Sequence, residues 1–226
     1  MSDEPRLIDV RVPDDPQGLV LVLHGGGSRR ERMMVSPRQL SVLRMVPIAR
    51  RLAREGRGRL AVVRMLNSAR GWAGAPTPVD DVRWALAHLA DRFGRRLPTG
   101  LVGHSLGGRA ALLASSEDGV RSVVALAPYL LPGDGPRVLG GRSFLTVHGD
   151  QDRIARIEPA AALARELERR GADSAFVLVA GGRHAMLRHH RRFDGLASAF
   201  TATVLLGEEP AGLLARLRGG ERWIRA

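Results

Sequence analysis

Leu101-Val102-Gly103-His104-Ser105-Leu106-Gly107-Gly108 is the stretch on which the reading of this chain turns. Two apolar residues end a strand-like run, and residues 110–114 beyond it are fit to be a helix. A serine at so sharp a strand-to-helix turn takes strained backbone angles, and the flanking glycines let strand and helix approach each other. Its hydroxyl is then held above the sheet, with the first N–H groups of the helix aimed at the same point. A glycine-rich turn with an incidental serine would need no such context, so Ser105 is read as a nucleophile.

Working outward, apolar runs recur at 19–23, 60–63, 101–102, 123–126, 144–147 and 176–179. They are continuous rather than alternating, as expected of parallel strands covered on both faces. Ile8, Val10 and Val12 instead alternate with Asp9 and Arg11, the pattern of a half-exposed edge strand. Between the runs lie helical patterns: Val79, Val82, Leu86, Leu89 and Phe93 repeat at steps of three and four. Pro78, Asp80 and Asp81 supply the start of that helix. Leu163 and Leu167 mark another, and Phe193, Leu196, Phe200 and Val204 a third. The stretch 37–55 is helix-like, with Pro47 expected to bend or interrupt it. Alternating strands and helices predict an α/β fold, a single doubly wound, mostly parallel sheet flanked by helices. One domain spans 1–226, with its core at about 7–204 and a tail at 207–226. The amphipathic segment 213–217 in that tail suits packing on the body or on a second copy in a homodimer.

Composition sets the bounds. At 226 residues the chain is long enough to bury a full core without disulfides. It has no cysteine, which excludes disulfides, thiolate metal sites and cysteine nucleophiles. The net charge is +12, yet all 35 basic residues are arginine, scattered along the chain with no block of about five or six like charges. That pattern fits a GC-rich coding background better than a nucleic-acid face, so no specific nucleic-acid partner is expected. The first residues, Met1-Ser2-Asp3-Glu4-Pro5, lack the basic-then-apolar pattern of a secretory signal. No apolar stretch approaches the ~18 residues of a membrane helix. A cytoplasmic protein without membrane contact is the expectation.

A serine needs a base beside it and an acid to orient that base. His148-Gly149-Asp150-Gln151-Asp152 closes the run 144–147, and Gly181-Gly182-Arg183-His184 closes the run 176–179. Acid and base on consecutive strand ends after the nucleophile give the order Ser, Asp, His, with His184 as base and Asp152 as acid. Leu23-His24-Gly25-Gly26-Gly27 ends the first parallel run. Acyl transfer places negative charge on the former carbonyl oxygen, which preorganised N–H donors stabilise. The N–H of Leu106 is one expected donor, and the second comes from the glycine loop, Gly26 first and Gly25 next. A phosphate loop is the rival reading, but no Lys-Ser or Lys-Thr follows.

On the strength of His24-Gly25-Gly26-Gly27, residues 103–108, the His148…Asp152 run and His184, the chain resembles the α/β-hydrolase superfamily. Within it, the chain is similar to small capless esterases and to the dienelactone-hydrolase-like group, from Leu7 to about Val204. The resemblance implies that the acid stands last in an H-G-x-x-D run, which is Asp152, leaving Asp150 on a variable position as the alternative. It departs from dienelactone hydrolases proper, which use a cysteine nucleophile. Capped members insert a long segment where only residues 129–142 stand here, so the absence of a large cap domain and an open site are implied.

Trp72, Met33, Tyr129 and Leu130 follow strand ends and are candidates to line a substrate pocket. Arg29, Arg30, Arg70, Arg153 and Arg183 could give the mouth a positive field favouring anions. His24 and His104 are read as structural, His148 as bracing the acid loop, and His88 as a surface or edge position. His189 and His190 diverge on a helix and make no metal site. The expected activity is hydrolysis of a carboxylic ester or thioester of a small acyl molecule through an acyl-enzyme, with no cofactor and no metal. Transferase, cyclase or lyase chemistry on the same frame, or a non-catalytic binding role, are the rivals.

Overall fold

Along the second strand, Leu19, Leu21 and Leu23 enter one apolar layer while Val20 and Val22 enter another. That two-sided burial is what a continuous apolar run demands, because successive side chains point to opposite faces. The structure, a computed structural model, describes residues 4–26, 35–69, 71–72 and 77–226. Its strands are β1 (Arg6–Arg11), β2 (Gly18–Leu23), β3 (Leu60–Leu66), β4 (Thr99–His104), β5 (Val120–Leu126), β6 (Ser143–Gly149), β7 (Asp173–Val179) and β8 (Trp223–Arg225). The helices are α1 (Leu40–Leu43), α2 (Met45–Glu55), α3 (Pro78–Phe93), α4 (Leu106–Leu113), α5 (Ile157–Arg169), α6 (His190–Leu206) and α7 (Leu213–Arg218).

All eight strands form one sheet in the order β1-β3-β2-β4-β5-β6-β7-β8. Among the described residues only β1 runs antiparallel; it pairs with β3 at the edge, the place its alternating pattern indicated. Helices α3, α4 and α5 bury their apolar stripes on one face, and α2, α6 and α7 on the other. From β2 the chain steps to β3 on one side and then crosses to β4 on the other. Such a reversal leaves a crevice outside the carboxyl ends of the two strands, where ligands bind in open α/β sheets. The glycine loop leaves β2 and Ser105 leaves β4, so both sit at this crevice.

Helix α3 begins as its sequence predicts. Thr77 accepts from the Asp80 N–H, the Asp80 carboxylate accepts from the Thr77 N–H, and Pro78 occupies the first turn. The neighbouring Asp81 turns inward, where it accepts from the Ser68 N–H at 2.9 Å and the Ser68 hydroxyl at 3.1 Å. One sequence expectation is corrected, and the tail contains an element the sequence reading did not anticipate. The interruption in 37–55 falls at Arg44, before Pro47, because Pro47 lies in the first turn of α2, where its missing N–H is no loss. The tail does more than carry an amphipathic segment: Leu214 and Leu217 are buried, and Trp223–Arg225 adds a parallel strand beside β7. That strand is too short for a periodicity signal.

The loops after β6 and β7 touch through bare backbone. A Cβ on Gly149 would stand 2.2 Å from the Gly182 carbonyl oxygen, whereas one on Gly140 would meet nothing within 4 Å. Gly149→Ala is therefore expected to cost about 3 kcal/mol, since backbone rather than a mobile side chain must give way. Gly140→Ala is expected to stay within about 0.5 kcal/mol of the parent. Urea unfolding of the two variants beside the parent checks both values.

Candidate active site

Strand β4 passes into helix α4 through one residue, Ser105, which sits at φ 56° and ψ −120°. Side chains other than glycine rarely adopt that region. The conformation is held from both sides: the Ser105 N–H donates to the Leu126 carbonyl at 2.9 Å, and its carbonyl accepts from Tyr129 and Arg109 at 3.1 Å. Among the described residues, two more of the four non-glycine residues with positive φ lie beside the site, Ala127 just past β5 and Met186 two residues after His184. Strain concentrated in one region is characteristic of functional sites.

His184, in the loop after β7, reaches Ser105 with Nε2 at 3.0 Å from Oγ. Its Nδ1 stands 2.8 Å from Asp152 Oδ2. An ionised carboxylate only accepts, so Nδ1 carries the proton and Nε2 presents a lone pair to the serine hydroxyl. The Asp152 side chain is fully shielded from solvent, and its other oxygen accepts from the Ile154 N–H at 2.8 Å and the Ala155 N–H at 3.0 Å. Burial raises the Asp152 carboxyl, but the hydrogen bond from His184 and the two backbone donors outweigh it and hold the group below its usual value.

Asp150, the alternative acid, has a different place. It accepts from the Gly181 N–H at 2.7 Å and from Arg225 at 3.0 Å. The Gln151 N–H adds a 2.9 Å bond to the Gly182 carbonyl, so the loops bearing Asp152 and His184 are stapled together. Strand β8 supplies Arg225 to that staple, a role the sequence did not signal.

Three buried histidines brace the site in neutral form. His104 Nε2 donates to the His184 carbonyl at 2.8 Å, and the two rings lie 4.9 Å apart. Burial, reinforced by repulsion from His184, pushes His104 down to about 3. In the glycine loop, His24 Nε2 accepts from the Asn67 N–H at 3.1 Å, which leaves Nδ1–H to donate to the Gly25 carbonyl. Burial also lowers His24 and His148. His148 ends β6 fully buried, with Nδ1 3.2 Å from the Gly149 carbonyl.

The glycine loop closes on the serine. A Cβ on Gly25 would lie 3.1 Å from Ser105 Cβ. Among the described residues, the N–H groups of Leu106 and Gly26 enter no backbone hydrogen bond. Both residues line a cleft of about 840 Å³ that contains Ser105, His104 and His184. Tyr129 lines it as expected. Trp72 and Leu130 do not: Trp72 packs beneath the Arg109 guanidinium, 4.1 Å from its ring centre, and Leu130 is buried in the core under α3 and α5. Trp72 is drawn there because Arg109 is itself fixed by a two-pronged ion pair with Asp134. Met33, Arg29, Arg30 and Arg70 lie outside the described residues. Arg153 and Arg183 are exposed and are not among the lining residues. Sequence reasoning missed Leu40, Leu43, Ile154, Leu187 and His190 in the wall. Apolar residues placed just after strand ends, as with Ile154 and Leu187, were the available signal. Among the described residues, no group of three or more His, Asp or Glu side chains is placed to hold a metal.

No family model matches the sequence, and a search of curated proteins finds no match. Solved structures do match. An alpha-beta serine hydrolase homologue from Coxiella burnetii superposes with a TM-score of 0.64 at 16% identity, over 86% of this chain and 90% of that one. The chain has the α/β-hydrolase fold. Est1E from Butyrivibrio proteoclasticus, solved with ferulic acid bound, aligns at TM-score 0.62 and 17% identity, over 89% and 96% of the two chains. An esterase of Pyrobaculum calidifontis aligns at 0.62 and 16%, over 89% and 85%. On this α/β-hydrolase frame the site lies at the carboxyl edge of the sheet with no large cap domain above it.

The neutral histidines carry a pH signature. A group held near 3 in the folded chain and near 6.5 in the unfolded chain contributes stability above pH 6.5 that is lost progressively as pH falls toward 3. Between pH 7 and pH 5, His104 alone is expected to withdraw about 2 kcal/mol. His104→Gln keeps a donor for the His184 carbonyl without the titration, so its stability is expected to fall less over that window. Urea unfolding at both pH values, parent against variant, reads the difference.

Proposed function

We propose that this chain is a serine hydrolase that cleaves a carboxylic ester or thioester through an acyl-enzyme on Ser105. The observation that carries this reading is the continuous hydrogen-bonded path from Asp152 through His184 to Ser105 Oγ. Esterases and a serine hydrolase homologue among the similar folds support hydrolase chemistry in general. Because function resides in sites rather than folds, the argument rests on the residues.

In the proposed reaction, Ser105 Oγ attacks the carbonyl carbon as its proton passes to His184 Nε2. The carbonyl oxygen becomes an oxyanion, which accepts from the N–H groups of Leu106 and Gly26, with Gly25 shaping the loop. The imidazolium is stabilised by the Asp152 carboxylate and gives its proton to the leaving alcohol or thiol as the carbon–oxygen or carbon–sulfur bond breaks. A water molecule then yields a proton to His184 and attacks the acyl carbon; the bond to Ser105 Oγ breaks as His184 returns the proton to Oγ, and the carboxylic acid leaves. His24 supports the hole by fixing the Gly25 carbonyl, and His104, staying neutral, supports the base without adding a competing charge. No cofactor enters the scheme. Among the described residues, no helix is long and apolar enough to cross a membrane.

Intact-protein mass after treatment with a fluorophosphonate tests the nucleophile. One adduct is expected on the parent and none on Ser105→Ala; an unlabelled, folded parent overturns the reading. Asp152→Asn is expected to lower kcat by about 10³–10⁴-fold, because the imidazole loses its orienting acceptor. Asp150→Asn weakens only the staple between loops and is expected to lose far less. Comparable losses in the two would return Asp150 to candidacy as the acid.

A further inference from the structure

Among the described residues, seven large apolar side chains are substantially exposed. Five of them, Leu40, Leu43, Tyr129, Ile154 and Leu187, line the one cleft that holds Ser105. Scattered single exposed apolar residues are ordinary, but a contiguous set marks a binding surface. Leu40 at 83%, Leu187 at 67% and Ile154 at 63% lose their exposure only when something apolar fills the space between them.

The charged groups of the wall point the same way. Arg44 is the only arginine lining the cleft among the described residues, and two of its three guanidinium nitrogens are already engaged. Its Nε donates to the Ala185 carbonyl at 2.9 Å, and a terminal nitrogen pairs with Asp194 at 2.8 Å. The two side chains are only 7% and 4% exposed. Taking either partner for a ligand carboxylate would leave a buried charge alone. Arg153, Arg183, Arg188 and Arg191, exposed and adjacent in sequence to lining residues, are not in the wall. Among the described residues, the wall thus offers mainly apolar contact, and its one arginine is already paired.

From this we infer that the substrate of the Ser105 site carries an uncharged aliphatic chain of several carbons, laid along α1 and the segment after His184 between Leu40, Leu43 and Leu187. The inference rests on the serine-hydrolase reading and narrows it to aliphatic esters or thioesters over small or acidic ones. Each methylene desolvated against such a wall is worth up to about fourfold in kcat/KM.

The test measures kcat/KM for 4-nitrophenyl acetate, butyrate, hexanoate and octanoate below their aggregation concentrations. The mono-4-nitrophenyl ester of adipic acid is set beside the hexanoate, which it matches in length but for a terminal carboxylate. A rise of at least twofold per methylene up to octanoate is expected, with the adipate ester at least tenfold poorer than the hexanoate. Leu40→Ser with Leu187→Ser is expected to lower the octanoate-to-acetate ratio at least threefold. A flat or falling series, or an adipate ester that equals the hexanoate, overturns the inference while leaving Ser105 as a working nucleophile. Binding of octanamide and acetamide to Ser105→Ala, read by calorimetry, needs no chemistry. Octanamide binding in preference to acetamide is expected, and its absence refutes the aliphatic cleft even where no ester is turned over.

Discussion

At the end of β4 the backbone changes from strand to helix within Ser105, and three chain segments converge on that change. A Cβ on Gly103 would stand 2.1 Å from the Gly107 carbonyl oxygen, and one on Gly107 would stand 2.5 Å from the Leu23 carbonyl. Strand β4, helix α4 and the end of β2 therefore meet at backbone contact. This close approach holds Ser105 at its positive φ and presses the glycine loop against it. It also leaves the first N–H of α4 facing the cleft. The neighbouring strand end contributes as well, since Ser105 and Tyr129 share a hydrogen bond across the β5 exit.

A second contact of the same kind serves the other half of the site. Gly149 and Gly182 bring the exits of β6 and β7 together, and the bonds through Gln151, Gly181 and Asp150 lock them. Asp152 and His184 inherit their separation from that lock rather than from each other alone. Loops tied in this way lose less entropy when the hydrogen-bonded path forms, which is the physical content of preorganisation. The buried histidines complete it: each uses its ring to hold a backbone carbonyl and remains neutral because burial opposes the charge. Their stabilising effect is therefore conditional on pH.

The cleft combines rigid chemistry with an apolar, open approach. Arg44 and Asp194 join the start of α2 to α6 and also grip the loop after His184 through Ala185. A buried ion pair of this sort adds little net stability over an apolar pair, but removing one partner costs several kcal/mol. Its consequence here is spatial, since it fixes the floor from which Leu43 and Pro47 face Ser105. Much of what remains exposed in its wall is apolar: Leu40, Leu43, Tyr129, Ile154 and Leu187.

The sequence by itself determined the mostly parallel sheet and the edge place of β1, and it singled out Ser105, His184 and the glycine loop as candidates. It could do so because those features are local: a period of two, a run of apolar residues, and glycines at a turn each leave a mark within a few positions. Chain order pointed to an acid in the loop after β6, and the resemblance favoured Asp152 over Asp150, since two carboxylates in one loop carry the same local signal. Tertiary structure decided the rest. Trp72 left the expected pocket wall because Arg109, more than 30 positions away, lies over its ring. Leu40, Leu43, Ile154 and Leu187 joined the wall because elements distant in sequence bring them to one crevice. The tail became strand β8, and its Arg225 reached Asp150 across 75 positions. Contacts at such separation depend on how the layers pack, and packing is a property of the whole chain that no local pattern encodes.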